Sequence, residues 1–394
     1  MPPRARENSE IEWRLALLGE LCKQDRQMIE ADSAQARKLP YIGLENVESN
    51  TGCIARPMSQ PQLAKARSTT FQFDNRHVLY GKLRPYLNKV ATPDFEGRCT
   101  TELIPLLPSD GVSREYLAWV LRRPETVEIA MRDRTGSRMP RADMNRLLSS
   151  QVPIPPMAEQ KRIVAALNEQ MTAVQKARAA TEAQLVAAKV LPAAYLREVF
   201  DSREAQKWPK KRLEQACCVV MGQSPKGDSY NSESLGVPLL NGPTEFGGVH
   251  PVAVQWTTSP IRYAEKGDVL LCVRGATTGR MNIADQQYCI GRGLAAIRPA
   301  DHNLDSTFLK FALKNITAEF LKETAGSTFP NLPGEKLNKF TIAVPRLETQ
   351  VEAATALTER LKRAQALLHS LIQQLSYLEH SPTAFLDAAF AGRL

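Results

Sequence analysis

Residues 152–164 read VPIPPMAEQKRIV, an extended proline-rich run set directly against a charged, helix-forming one. Pro155 and Pro156 fix their own φ and hold the preceding residue out of the helical region, yet proline is well tolerated in a helix's first turn. Glu159 then falls in that first turn, where a carboxylate meets the positive end of the helix dipole. The stretch is therefore a joint between a globular segment and a helix. A worn copy, TIAVPRLETQVEA, begins at Thr341, and residues 135–200 align over 325–390 without a gap at an offset of 190. Gly136 faces Gly326, Pro140 faces Pro330, Pro155 faces Pro345, and Gln160 faces Gln350. Further on, Leu167 faces Leu357, Pro192 faces Pro382, Leu196 faces Leu386, and Phe200 faces Phe390. Prolines and glycines that recur at one offset mean recurring turns and helix ends. The chain is expected to be a duplicated unit, each copy a globular part followed by a helical part.

The helical parts carry a heptad signal. In the second, Leu357, Leu361, Ala364, Leu368, Leu371, Leu375 and Leu378 alternate spacings of four and three, the pattern of a coiled-coil seam. The first has Leu167, Met171, Val174, Arg178, Thr181, Leu185 and Ala188 at the matching positions, and its two polar members weaken it. Pro192 and Pro382 are expected to end or kink the helices, leaving rods of about 34 residues and about 50 Å. Two such rods can hide their seams against each other, and the duplication favours an antiparallel pair with a pseudo-two-fold axis. The competing reading packs each helix on its own domain alone, but the seam is narrower than a core-facing stripe.

The globular parts read as mixed. Short β-like runs such as HVLYGKL and ELIPLLP in the first, and DVLLCV and LAAIRP in the second, are punctuated by Gly, Pro and Ser. Each part also holds one helix-like stretch, EYLAWVLRR (115–123) and STFLKFALKN (306–315). Trp13 and Trp208 open the two parts, and HVLYGKLR (77–84) matches DVLLCVR (268–274) with a one-residue slip. The expected fold is α+β: two pseudo-symmetric, loop-rich α+β domains separated by two long antiparallel helices forming a coiled coil. The expected boundaries are 1–155, 156–200, 201–345 and 346–394.

A chain of 394 residues exceeds one ordinary core. Its 43% hydrophobic and 24% charged content is that of a soluble globular protein. No run of 18 apolar residues predicts a membrane helix, and MPPRARENSEIEW has no apolar stretch after its arginines, so a cytoplasmic location is expected. Seven cysteines without a C-x-x-C, and five histidines that do not cluster with them, predict reduced thiols and no zinc site. The net charge of +9 is spread over the chain rather than held in a tail, and residues 51–100 alone carry +5. That balance fits a nucleic-acid partner.

Catalytic patterns are missing. There is no G-x-x-x-x-G-K-[ST] phosphate loop and no G-x-S-x-G nucleophile turn. GRGLAA (291–296) has the spacing of a dinucleotide fingerprint but runs into Ile297-Arg298-Pro299 instead of opening a helix. The acids of PDFEGR (93–98) lack further partners, and the Asn-Pro-Pro-Tyr or Asp-Pro-Pro-Tyr of amino-methyltransferases does not occur. Several loops suit phosphate and base-edge contacts instead. Lys82, Arg84, Asn88 and Lys89 lie in GKLRPYLNK (81–89), and Arg138 and Arg141 precede the first joint. Gln223, Ser224 and Lys226 lie in GQSPKG (222–227), and Arg274, Thr277, Thr278 and Arg280 in RGATTGR (274–280).

The joint IPPMAEQKRIV (154–164), with its degenerate copy VPRLETQVEA (344–353), resembles that of the specificity subunits of type I restriction–modification enzymes. The second copy lacks the double proline and the Glu-Gln pair, which leaves its contacts open. MGQSPKGDSYN and PLLNGPTEFG, within 213–247, are similar to the opening of that family's target recognition domains. So are YGKLRPYLNKV (80–90), VRGATTGR (273–280) and GSTFPNL (326–332). The likeness covers nearly the whole chain. It implies that each domain reads half of a bipartite, asymmetric DNA site and that the helices set the gap. It further implies two modification subunits that bind S-adenosylmethionine and methylate adenine, and two restriction subunits driven by ATP with magnesium. The chain itself would then carry no catalysis and bind no cofactor. A reading from another class is a coiled-coil adaptor that binds proteins and no DNA.

Overall fold

The computed structural model describes residues 13–31, 33–55, 68–132, 139–324 and 331–393. Arg138 and most of GSTFPNL lie outside the described residues. The chain forms two compact units, residues 1–181 with 373–394, and residues 182–372. Two 44-residue helices, Met157–Phe200 and Leu347–Phe390, are shared between them. Their ends sit at the offset of 190 seen in the sequence.

Neither Pro192 nor Pro382 ends its helix; both lie inside. A mid-helix proline costs roughly 3 kcal/mol, but apolar packing resumes beyond it. Leu196 and Leu386 are buried past the prolines, and tertiary burial rather than propensity holds a helix together. The rods are therefore longer than the expected 34 residues.

In the first unit, strand Arg14–Leu17 pairs antiparallel with Gln151–Ile154, so the domain's entry is tied to the joint that leaves it. One four-stranded antiparallel sheet has the order Cys22–Gln24, Leu103–Pro108, Val78–Gly81, Val90–Ala91. A second has the order Met28–Ile29, Thr70–Phe73, Gly97–Thr100, Tyr41–Ile42, the last pair parallel. Helix Arg114–Arg122, capped by the Ser113 hydroxyl, is buried on all sides from Tyr116 to Arg122. Ile163, Leu167 and Met171 of the first long helix and Leu386, Ala389 and Phe390 of the second enter the same core. Phe390 meets the Tyr116 ring at 5.7 Å.

The second unit repeats the plan. Lys210–Arg212 pairs with Thr341–Ala343. The antiparallel sheet is Cys217–Met221, Leu294–Pro299, Val269–Cys272, Met281–Ile283. Val78–Gly81 and Val269–Cys272 stand 191 apart, the one-residue slip read from sequence. The other sheet has five strands, with Gln255–Thr257 and Tyr230–Asn231 added beyond Val237–Leu240. Helix Ser306–Asn315 takes the place of Arg114–Arg122, and Phe308 meets Phe200 at 5.5 Å. Leu196 of the first long helix shares a core with Ala354 and Leu357 of the second, Arg360 bonds Glu198 at 2.6 Å, and its guanidinium lies 4.1 Å over Tyr195.

Each unit thus joins the early part of one long helix to the late part of the other, which is the antiparallel order. The burial follows the heptads. Leu357, Ala364 and Leu371 are buried, with Leu361, Leu368, Leu375 and Leu378 half-buried between exposed flanks. Leu167, Met171 and Ala188 are buried, Val174 and Leu185 half-buried, and Arg178 exposed. Thr181 is buried because its hydroxyl donates to the Ala177 carbonyl at 2.8 Å, satisfying the group locally. Each fully buried leucine contributes about 2–3 kcal/mol. The long helices also join the cores of the domains that precede them.

Candidate nucleic-acid interface

The antiparallel order of the main sheet brings four chain ends to one edge in each unit. In the second unit these are the end of Cys217–Met221, the start of Leu294–Pro299, the end of Val269–Cys272 and the start of Met281–Ile283, fixed by the pairs Met221↔Ala295, Cys272↔Leu294 and Leu271↔Met281. Three loops of this edge lie together, because Gly222 N donates to the Leu294 carbonyl and Val273 N to the Gly293 carbonyl. Gln223 and Lys226 are exposed on the first loop. Ser224 Oγ accepts from Arg292 N at 3.2 Å.

RGATTGR forms a tight hairpin. Gly275 and Gly279 have φ of +76° and +91°, a region that favours glycine. Cys272 N donates to the Arg280 carbonyl and Gly279 N to the Cys272 carbonyl, both at 2.9 Å. Arg274 is held from the side, its Nε donating to Asn331 Oδ1 at 3.1 Å. Arg280 points into solvent, while Thr277 is half-buried. Thr278 is buried and its hydroxyl donates to the Gly275 carbonyl. That hydroxyl holds the turn, against the sequence expectation of an outward contact. Arg292 is an exposed cation at the same edge that the sequence reading passed over. Its only signal was the Gly-x-Gly turn of GRGLAA, weighed above for a dinucleotide.

The first unit builds the same edge differently. Residues 82–84 run beside 140–142: Ala142 N donates to the Lys82 carbonyl, Arg84 N to the Pro140 carbonyl, and Leu83 bridges Arg141. Arg84 is exposed, with a left-handed φ of 52°. Arg141 grips Glu102 through Nη2 and Nε at 2.8 and 3.0 Å, and Lys82 Nζ lies 3.9 Å from the same carboxylate.

Asn88 and Lys89 turn inward rather than out into solvent. Lys89 Nζ donates to the Leu44 carbonyl at 2.6 Å and Asn88 Nδ2 to the Arg122 carbonyl at 3.0 Å. Both polar groups are thus spent on backbone carbonyls of neighbouring segments. Arg122, also missed from sequence, lies beneath them. It is buried, its Nη2 donates to the Val90 carbonyl at 2.6 Å, and its guanidinium stacks 4.7 Å from Trp119. Burial without a carboxylate pulls its pKa down to about 10. Gly52 permits this approach, since a Cβ there would lie 2.0 Å from Nη2.

Of the seven cysteines, Cys53 and Cys218 are exposed and five are buried. Burial pushes the thiols of Cys22, Cys217 and Cys272 up to about 12, so they pack as small apolar groups. Among the described residues, no cluster of three His, Cys, Asp or Glu is placed to hold a metal, and no helix is long and apolar enough to cross a membrane.

Two units of one plan, each with cationic loops at one sheet edge and both sharing a pair of heptad helices, define a duplicated α+β recognition scaffold. The chain belongs to the type I restriction modification DNA specificity domain family, whose pattern matches residues 10–180 and again 198–377. It is 29% identical over 255 residues to a putative type I restriction enzyme MjaX specificity subunit of Methanocaldococcus jannaschii, covering 62% of this chain. That match spans 59% of the relative's length. It is 30% identical over 98 residues, 25% of this chain and 21% of the relative, to the type I restriction enzyme EcoDI specificity subunit of Escherichia coli. Among solved structures it is similar to the HsdS subunit from Thermoanaerobacter tengcongensis, with a TM-score of 0.73, 29% identity and 97% of each chain covered. A chain from a type I R-M system, solved in work on complex assembly and conformational transition, gives a TM-score of 0.79 at 28% identity, covering 97% of this chain and 98% of that one.

Proposed function

We propose that the chain is the DNA-reading subunit of a type I restriction–modification complex and carries no catalysis itself. The segments 1–155 and 201–345 each read one half of a bipartite, asymmetric site, and the helical segments 156–200 and 346–394 set the gap. The observation that carries this reading is the double occurrence of the specificity domain in one chain, at 10–180 and 198–377. Lys82, Arg84 and Arg141 in the first unit, and Gln223, Ser224, Lys226, Arg274, Arg280 and Arg292 in the second, supply the phosphate and base contacts. Thr277 lines the second loop, and Arg138 belongs to the same candidate set by sequence. Asn88, Lys89 and Thr278 shape the loops from within.

Two modification subunits, bringing S-adenosylmethionine, dock on the duplicated frame. Two restriction subunits, bringing ATP and magnesium, complete a cytoplasmic complex. The test is to express the chain with its modification subunits and map methylated adenines across the host genome. The expected result is one split motif with a fixed gap. A purified complex that shifts all DNA equally, with no motif, would return the chain to the class of protein-binding adaptors.

A further inference from the structure

Gln160 is fully buried at the first joint, and every polar group of its side chain is used. Its Oε1 accepts from Ser113 N at 2.8 Å, while Nε2 donates to the Gly111 carbonyl at 2.9 Å and the Pro155 carbonyl at 3.0 Å. Gln350 repeats the arrangement in the other unit. It is fully buried, Oε1 accepts from Asp305 N at 2.9 Å, and Nε2 donates to the Asn303 carbonyl at 2.9 Å and the Pro345 carbonyl at 2.7 Å. Ser113 and Asp305 are the N-caps of the two equivalent domain helices, Arg114–Arg122 and Ser306–Asn315. One side chain therefore ties three things together: the first turn of the long helix, the extended segment entering it, and the cap of the domain helix.

The neighbours have drifted while the pin has not. Pro156 and Glu159 of the first joint are Arg346 and Thr349 in the second. The degenerate second joint thus keeps all three contacts of its glutamine. Helix initiation alone does not need this, because two of the three contacts reach the domain helix's cap segment rather than the long helix itself. A buried amide with three satisfied partners is worth keeping where direction matters, since hydrogen bonds fix geometry and apolar contacts tolerate sliding.

We propose that Gln160 and Gln350 are positioning residues that set the angle between each recognition domain and the long helix it leads into. Through that angle they govern which gap length between half-sites is accepted. This rests on the reading of the chain as a bipartite DNA reader. The glutamines touch no DNA; they act through the domain's orientation.

The experiment uses the full chain with its modification subunits and S-adenosylmethionine. Methylation rates are measured on duplexes that carry both mapped half-sites with the native gap, one base pair fewer, or one more. The native complex should prefer one gap. Gln160→Leu and Gln350→Leu should each cut that preference by about tenfold, the order expected for one buried hydrogen-bonding group. Discrimination against a single altered base inside either half-site should stay as it was. Gln160→Asn and Gln350→Asn keep the amide but fall one methylene short, and they make the same test where leucine prevents folding. Leu147→Ala, in the first unit's core, should lower the melting temperature without changing gap preference. Retained gap preference in the glutamine variants, or an equal loss in Leu147→Ala, overturns the proposal. A native complex indifferent to the gap overturns the bipartite reading and the proposal together.

Discussion

The two units share a plan and differ at the sheet edge that carries the cationic loops. In the first, the residue before strand Leu103–Pro108 is Glu102, and it draws Lys82 and Arg141 together. In the second the matching position, 191 further on, is Gly293, and Arg274 is steadied by the neutral Asn331 instead. Among the described residues, no carboxylate pairs with Arg280 or Arg292. One edge is therefore a partly neutralised network and the other an open set of arginines. The lesson is that duplication preserves the sheet and the joint while the charge at the strand ends diverges, as the proposed reading of two dissimilar half-sites would require.

The largest test concerns what the units share. Leu167 and Leu357 occupy the same position of the two long helices and both are fully buried. Leu→Ala at either should cost about 2–5 kcal/mol, read by chemical or thermal unfolding. Similar costs would support the equivalence of the two cores; a cost below about 1 kcal/mol at one site would break it. Next in size is the exposed cation of the second edge. Arg280→Ala should weaken target binding by about 1–3 kcal/mol, whereas Arg141→Ala should cost less, because that guanidinium is already held by Glu102. Equilibrium binding of the complex to its mapped site checks both, and the reverse order would sink the contrast.

Much of this was legible in the sequence. The joint was, because proline and glycine act locally and leave the same mark twice. The heptads were, because their period is a property of one helix. Three things were not legible. Leu196 and Leu386 carry the helices past Pro192 and Pro382, and that packing comes from residues distant in sequence. Asn88 and Lys89 looked like contacts, but their partners Arg122 and Leu44 lie 34 and 45 residues away. Glu102 stood unremarked in TTEL, since its role appears only when Arg141 is folded beside it.

A smaller effect follows from Glu102. Glu102→Gln should release Lys82 and Arg141 for phosphates and steepen the slope of log K against log salt by about one to two units. The reverse change in the second unit is blocked, since a Cβ on Gly293 would lie 2.5 Å from the Asn241 carbonyl oxygen. An unchanged slope would mean that both cations stay engaged with protein when DNA binds.

The smallest effect separates the units by pH. Strand Val78–Gly81 is preceded by His77, buried against Asp74 at 2.9 Å and Asp25 at 3.3 Å, whereas the matching Asp268 is clasped by Arg298 at 2.9 Å. Arg76 donates to Asp74 through Nη2 at 2.6 Å, and that bond first of all holds the carboxyl down at about 2 from an ordinary 3.8. A folded pKa below the unfolded one stabilises above pH 4, and the contribution fades as pH falls toward 2. Asp74 is nearly a third exposed, so solvent screening limits the gain to about 1 kcal/mol or less. Asp74→Asn should therefore lower the melting temperature by about 2–4 °C at neutral pH, with the gap closing between pH 5 and pH 2. A gap that stayed constant over that range would place the loss in hydrogen-bond geometry rather than charge, and the two strand entrances would then differ in shape alone.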